Sequence, residues 1–487
     1  MSIRRRSFLQ SAGVAAAAPA LLAQRFRRPN VLFLLADEWR VQSTGYKGDP
    51  NVRAPVLDRL ESQSVNFQNA VSGTPVCCPY RASLLTGQYP LTHGVFINDV
   101  ELKPKGVTMG EAFTSAGYRT GFIGKWHLHG SPDGKYGRRL AYIPPEKRFG
   151  FDYWKACECT HEYNHSLYYE GNDPEPKYWP GYDAFAQADD AISFIERQTR
   201  AADPFCLVLS LGPPHFPYPT APARYQEMFR GREINLRPNV PADKRQQAAE
   251  ILRGYYAHMA ALDDCFARLL AALDRAGATE DTIVVFTSDH GDMMLSQGLT
   301  TKLYPWDESI RVPFLLRYPR KFGAKGRRLS APFNAPDILP TLLSLCEIPI
   351  PDSVEGTDGF RLRPDRGTFL SLPAPITEAR RYGIAEYRGL RTMRHTYVRS
   401  IRGPWLLYDN ERDRHQMHNL SRKPEARDLQ KRLDRALDAE LKRRHDDFLP
   451  AAEYVKRAGV AHYNEVNVKV GHHRSPWGDW ESTMPAE

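Results

Sequence analysis

Beyond its first two dozen residues this 487-residue chain has no run of eighteen consecutive apolar residues. A membrane-spanning helix there is excluded, and the chain after residue 23 is expected to be soluble without stable membrane insertion. It also lacks any Lys/Arg-rich block: the net charge of +9 is spread over 66 basic and 57 acidic residues. That pattern argues against a nucleic-acid partner, and the mild positive bias suits an anionic small molecule or polysaccharide better. Cysteine is scarce. The seven present, two of them adjacent at Cys77 and Cys78, do not form a disulfide framework. Cys206 and Cys346 fall in apolar runs, where a small buried hydrophobe is expected.

Residues 1–23 are basic, then apolar, then small. Arg4-Arg5-Arg6-Ser7-Phe8-Leu9 resembles a twin-arginine export motif, an Ala-rich stretch from Ser11 to Ala23 is too short to cross a bilayer, and Ala18-Pro19-Ala20 resembles a cleavage site. This segment is expected to be an export signal that directs a folded bacterial protein to the periplasm or beyond. Without Arg4, Arg5 and Arg6 the net charge falls to +6. The remaining length exceeds one ordinary core, so a main α/β domain at 24–374 is expected to carry a smaller C-terminal subdomain at 375–487.

Four apolar runs read as buried parallel strands alternating with amphipathic helices such as 184–197 and 246–275. Pro29–Ala36 leads into Asp37-Glu38, and Tyr118–Gly124 leads into Lys125-Trp126-His127. Pro204–Leu211 leads into Gly212-Pro213-Pro214-His215, and Thr282–Thr287 into Ser288-Asp289-His290-Gly291-Asp292. In open α/β sheets ligands bind beyond the carboxyl ends of the strands. Asp37, Lys125, His127, His215, Asp289 and His290 are therefore expected on one sheet edge. Asp289 and Asp292 also suit helix caps. Asp37, following an uninterrupted apolar strand, is a costly charge without a cation beside it. Acids from separate strands beside an imidazole are a hard ligand set, pointing to Ca²⁺ or Mg²⁺ rather than zinc.

The densest motif is Cys77-Cys78-Pro79-Tyr80-Arg81, continuing Ala82-Ser83-Leu84-Leu85-Thr86-Gly87. Read by itself, a buried cysteine pair before a helix would also fit. The run resembles the C-x-P-x-R signature of formylglycine-dependent sulfatases, and the resemblance extends from about residue 29 to about residue 420. Leu34–Glu38 and Ser288–Asp292 resemble the two metal motifs of that family, and Gly124–His127 its Lys/His segment. Pro214–Tyr218 resembles the segment whose histidine meets the sulfate ester, and Thr301-Lys302 falls where a second sulfate-binding lysine is kept. Glu308–Pro313, Asp337–Thr341, Leu406–Asp409 and His418–Leu420 are similar to structural segments of the family.

The resemblance implies an alkaline-phosphatase-like α/β fold, with a large, mostly parallel central sheet flanked by helices and a small antiparallel sheet from about residue 375. It implies sulfate-ester hydrolysis, with Cys77 oxidised to formylglycine by a formylglycine-generating enzyme and its hydrate as nucleophile. Asp37, Glu38, Cys77, Asp289 and His290 would hold the cation, Ca²⁺ before Mg²⁺. Arg81, Lys125 and Lys302 would balance the sulfate charge, and Asp289 would take the proton of the attacking hydroxyl. His215, with Lys302, would protonate the leaving oxygen, and His127 would act as base in releasing sulfate. Three positions depart from the commonest pattern: Glu38 replaces a second Asp, Tyr80 a small residue, and His290 an Asn.

Residues 129–185 are rich in aromatics (Tyr136, Tyr142, Phe149, Tyr153, Trp154, Tyr163, Tyr168, Tyr169, Tyr178, Trp179) interspersed with Arg138, Arg139, His161 and His165. They would suit stacking on an acidic sugar, or simple packing of a long loop on the sheet. Cys157-x-Cys159 with His161 and His165 lacks ordinary zinc spacing. A carbohydrate sulfate is the expected substrate. An aryl or choline sulfate, a phosphonate or phosphodiester, and non-catalytic glycan binding are the alternatives. Residues 421–447 read as an amphipathic helix on the small sheet, and the tail from Phe448, with Trp477 and Trp480, is expected to be loop-like.

Overall fold

The computed structural model describes residues 28–130, 139–201, 203–375 and 383–460. Residues 1–23, expected to be an export signal, and Tyr136, Arg138, Trp477 and Trp480 lie outside them. The main sheet contains β1 (Asn30–Asp37), β2 (Val65–Val71), β3 (Arg119–Lys125), β4 (Tyr153–Cys157), β5 (Leu167–Glu170), β6 (Lys177–Tyr178), β7 (Phe205–Pro214), β8 (Thr282–Ser288), β9 (Phe314–Arg317) and β10 (Arg327–Asn334). Their order across the sheet is β10-β2-β9-β8-β1-β7-β3-β4-β5-β6. The central five, β8-β1-β7-β3-β4, are mutually parallel. β9 is antiparallel to both of its neighbours, and β5 to β4.

The four strands read from the sequence lie side by side as β8-β1-β7-β3. Their apolar runs are continuous because both faces are covered. Along β1, Val31, Phe33 and Leu35 face one core, while Leu32, Leu34 and Ala36 face the other. The first core takes Leu84 and Leu85 from the helix Cys77–Thr86 and Leu339 and Leu342 from the helix Ile338–Leu345. The second takes Phe194 and Ile195 from the helix Asp183–Ala201, and Tyr255, Leu262 and Phe266 from the helix Arg245–Arg275. Helices thus sandwich the sheet. Cys206 and Cys346 are buried in the first core, and all seven cysteines are free.

A second sheet, β11 (Thr368–Leu372), β12 (Tyr387–Arg391), β13 (His395–Ser400) and β14 (Gly403–Asp409), is antiparallel throughout. Its first strand begins at Thr368, seven residues before the boundary expected at 375. One face packs on Val71, Val76, Leu303 and Ile310 of the main body. The other takes Leu433, Leu437 and Leu441 of the helix Arg427–Arg443. Part of the expected loop-like tail is helical, at Ala451–Arg457. No described helix is long and apolar enough to cross a membrane.

Gly124, paired with Ser210 across β3 and β7, fixes how closely these strands approach. Its φ is +100°, and a Cβ there would lie 2.1 Å from the Ser210 carbonyl oxygen. Gly124→Ala would have to adopt a conformation costing about 1–3 kcal/mol and push the strands apart beneath Lys125. Its urea midpoint should fall below that of the native chain. An unchanged midpoint would show that the strands yield without cost.

Candidate active site

The four adjacent strands end in chemistry on one edge of the sheet. β1 ends at Asp37, β3 at Lys125, and β7 and β8 just before His215 and Asp289. The helix Cys77–Thr86 opens with Cys77 and carries Arg81 one turn later, on the same face. It ends at Gly87, whose left-handed backbone lets its N–H close on the Ser83 carbonyl. Cys77, Arg81, Asp37, Lys125, Asp289 and His290 are all less than 5 % exposed.

Burial makes this a charge-balance problem. Arg81 donates through Nε and Nη2 to Asp289 Oδ2 at 3.2 and 3.0 Å, and through Nη2 to Asp37 Oδ2 at 3.4 Å. Its Nη1 donates to the Lys125 carbonyl at 2.9 Å and to Ser210 Oγ at 2.7 Å. Lys125 Nζ pairs directly with Asp37. Burial pushes the Asp37 carboxyl up, but Lys125, His215 and Arg81 outweigh it and hold Asp37 well below the usual carboxylate range. Asp289 stays above its ordinary value, because burial and the Asp37 charge exceed what His290 and Arg81 return. The excess at Asp289 is local, since the same surroundings lower the pKa of Cys77.

That surplus sits where four donors meet. One atom each from Asp37, Cys77, Asp289 and His290 lies within 4.8 Å of all the others. His290 Nδ1 faces the Gly291 carbonyl at 2.9 Å, so the ring donates there. Nε2 is left toward Cys77 Sγ at 3.1 Å, Asp37 Oδ1 at 3.6 Å and Asp289 Oδ1 at 3.7 Å. Burial lowers the His290 pKa, yet Asp289 and Cys77 raise it overall, another sign that positive charge is favoured at this point. Two carboxylates, an imidazole and the side chain at 77 fit a hard divalent cation.

Glu38 is not one of those four. Its φ is +70°, and its carboxylate belongs to a second group that could hold a metal ion, with Asp37 and His215. Oε2 lies 3.0 Å from His215 Nε2 and 3.3 Å from Lys302 Nζ, and Oε1 accepts from Tyr218 Oη at 2.9 Å. Lys302 Nζ is 2.8 Å from His215 Nε2, while His215 Nδ1 faces the Phe216 carbonyl at 3.0 Å. Glu38 and His215 lie within ion-pair distance of each other. Burial, then Lys302 and His161, drive the His215 pKa down, and burial drives that of Glu38 up. Each shift favours the uncharged form, and Lys302 donates to both. His127 Nε2 lies 3.0 Å from Asp99 Oδ1, and the two group with Cys78.

The family model described as Sulfatase matches residues 29–348. The chain belongs to the sulfatase family. A second model, described as N-sulphoglucosamine sulphohydrolase, C-terminal, matches residues 296–443. The sulfatase is 45% identical over 438 residues to an ulvan-active sulfatase of Formosa agariphila, covering 88% of this chain and 84% of that protein. It is 29% identical to an endo-4-O-sulfatase of Bacteroides thetaiotaomicron, covering 83% and 90% of the two chains. The yidJ structure from Bacteroides fragilis superimposes with a TM-score of 0.78 at 29% identity, covering 88% of this chain and 98% of that one.

Within the sulfatase site, Asp37, Arg81, Lys125, Asp289 and His290 gather with Cys77. Glu38, His215 and Lys302 form an adjoining group that meets Asp37. Tyr80 points to Thr287 of β8, with Oη 3.5 Å from Oγ1, and is buried in the first core. Most described aromatics of the 129–185 segment pack rather than open a platform. Trp154 lies against Phe122 and Trp126, while Phe149, Tyr163, Tyr169 and Trp179 are buried. Cys157 packs with Leu167 and Tyr169, and His165 stacks on Tyr178, so no soft-metal set forms among the described residues there. His161 does reach the site, stacking on His215 with centroids 4.3 Å apart. The sequence reading missed Ser210, Asp99 and Glu158. Ser210 left a signal, a polar residue inside an apolar strand.

Arg81 touches both buried acids, so its removal should cost more than a surface contact. Arg81→Met is expected to lower stability by about 3–5 kcal/mol in urea unfolding of the metal-free protein, the range for a buried pair that loses one partner. A loss under about 1 kcal/mol would show the carboxylates are not held by this guanidinium.

Proposed function

We propose that this sulfatase hydrolyses sulfate monoesters of an anionic polysaccharide after export, with residue 77 as nucleophile. The observation that carries the reading is the position of Cys77, 3.1 Å from His290 and inside the Asp37–Asp289 donor set. The 45% identity to an ulvan-active sulfatase supports the polysaccharide class. The twin-arginine-like start of the sequence supports export of the folded, modified enzyme. Burial and Asp37 raise the Cys77 thiol pKa, but Lys125, Lys302 and His290 bring it well below the ordinary thiol value. The surroundings favour negative charge on residue 77.

Oxidation of Cys77 to formylglycine would exchange the thiol for an aldehyde whose hydrate both attacks sulfur and can release sulfate by elimination, which a serine could not do. A divalent cation, Ca²⁺ first, would be held by Asp37, Asp289, His290 and residue 77 and would polarise a sulfate oxygen. The chain's own groups do the rest. Lys125 and Arg81 supply fixed positive charge beside residue 77, and Lys302 does so beside His215. Asp289 accepts the proton of the attacking hydroxyl. Lys302, 2.8 Å from His215 Nε2, keeps a proton on the side from which the alcohol leaves. His127 accepts a proton in the step that frees sulfate. Glu38 serves this reading by orienting His215 and Lys302.

Sulfate release should be measured from ulvan, sulfated glycosaminoglycans, an aryl sulfate, choline sulfate and a phosphonate monoester. The expected order puts a polysaccharide sulfate first, with Cys77→Ala roughly 10⁴-fold or more below the native enzyme. A phosphonate or small aryl sulfate hydrolysed best would overturn the substrate class, and an active Cys77→Ala the mechanism. Calcium at about 100 times its dissociation constant should stabilise the native protein by about 2.7 kcal/mol. Asp289→Asn should lose most of that gain, and an equal gain in the variant would remove Asp289 from the ligand set.

A further inference from the structure

His127 occupies a turn that it could not hold unaided. Its φ is +60°, unusual for a residue with a side chain, and its ring is buried. Two holds act on it. The first is Glu158, fully buried just after β4. Its carboxylate accepts three successive backbone N–H groups, from Leu128 at 3.1 Å, His129 at 2.9 Å and Gly130 at 2.7 Å. The second is Asp99, whose Oδ1 lies 3.0 Å from His127 Nε2. Arg139 grips both oxygens of Asp99, through Nε to Oδ1 at 2.7 Å and through Nη2 to Oδ2. The Asp99 backbone N–H donates to Cys78 Sγ at 3.3 Å, which ties the carboxylate to the residue beside Cys77.

We propose that Asp99 is the positioning residue of His127, fixing its tautomer as well as its place. A carboxylate can only accept from Nε2, so Nε2 keeps its hydrogen in both charge states of the ring, and Nδ1 is the nitrogen at which a proton comes and goes. Burial lowers the His127 pKa, but Cys159, Cys78 and the Asp99 contact raise it well above the ordinary value. Nδ1 is buried and has no hydrogen-bond partner among the described residues. A bare buried nitrogen costs stability, and Nδ1 is the ring position the Asp99 contact leaves for proton exchange, which the proposed base role needs. Burial raises the Asp99 carboxyl, but Arg139 and His127 bring it well down, so it stays an ionised acceptor. Glu158 fixes the backbone and Arg139 fixes Asp99, so the three form one support. The inference rests on the proposed role of His127 as base.

The test uses the full-length protein labelled with ¹⁵N-histidine, as native enzyme and as Asp99→Asn, Asp99→Glu, Glu158→Gln and His127→Ala. Long-range ¹H–¹⁵N spectra of the native protein across a pH series should show the His127 ring protonated at Nε2 throughout, with Nδ1 the nitrogen that titrates, a readout independent of turnover. Asp99→Asn should lose that fixed tautomer and drop kcat on the order of 10²–10⁴-fold with KM changed less than about threefold. Asp99→Glu should recover part of kcat. A native ring whose neutral form carries its hydrogen on Nδ1 and is bare at Nε2 would overturn the proposal, as would an Asp99→Asn variant with native kcat, or one altered only in KM. If Asp99→Asn does not fold, the native spectrum and the kcat of Glu158→Gln still decide. A fully active His127→Ala would instead remove the base role on which the proposal stands.

Discussion

Asp37 and Asp289 end adjacent strands of a dry sheet edge, and both side chains are fully buried. Two carboxylates in that position repel each other and lose hydration, so the edge exists only because cations are built around it. Arg81 reaches both, and Lys125 neutralises Asp37. The helix Cys77–Thr86 is held against the sheet partly by this guanidinium, and that fixes the place of Cys77. Asp289 and His290 are both shifted upward there, which favours a further positive charge. Structure and chemistry therefore share one constraint: the arrangement that balances the acids also gathers a candidate cation site beside residue 77.

Beyond that centre, Lys302 lies between His215 and Glu38, and His127 is braced by Asp99 and a turn tied to Glu158. A sulfate transfer needs a donor for the departing alcohol and, in a separate step, an acceptor that helps expel sulfate. Under the proposed reading, Lys302 beside His215 supplies the first and His127 the second.

The parts of this arrangement that were legible from sequence share a physical cause. Strands buried on both faces give unbroken apolar runs, so β1, β3, β7 and β8 stood out, and the titratable residues after them marked the active edge. The short strands β9 and β6, with 4 and 2 residues, carry too little pattern to be read. Side-chain direction was equally hidden. Glu38 follows Asp37 directly, but its left-handed backbone turns its carboxylate to His215 and Lys302 rather than into the Asp37–Cys77–Asp289–His290 cluster. Asp99 stands in no motif and acts only because the fold brings it to His127. Both outcomes were open for the 129–185 aromatics, and packing against Phe122 and Trp126 accounts for those at the core.

The central claim is that residue 77 works as an aldehyde-derived nucleophile rather than as a thiol. Mass spectrometry of the tryptic peptide Leu60–Arg81, from protein purified out of its native host, tests it most directly. The account predicts a peptide about 18 Da lighter than the unmodified sequence, the change for thiol-to-aldehyde conversion at the covalent catalyst. A peptide carrying only unmodified Cys77, from protein that nevertheless releases sulfate, would contradict it.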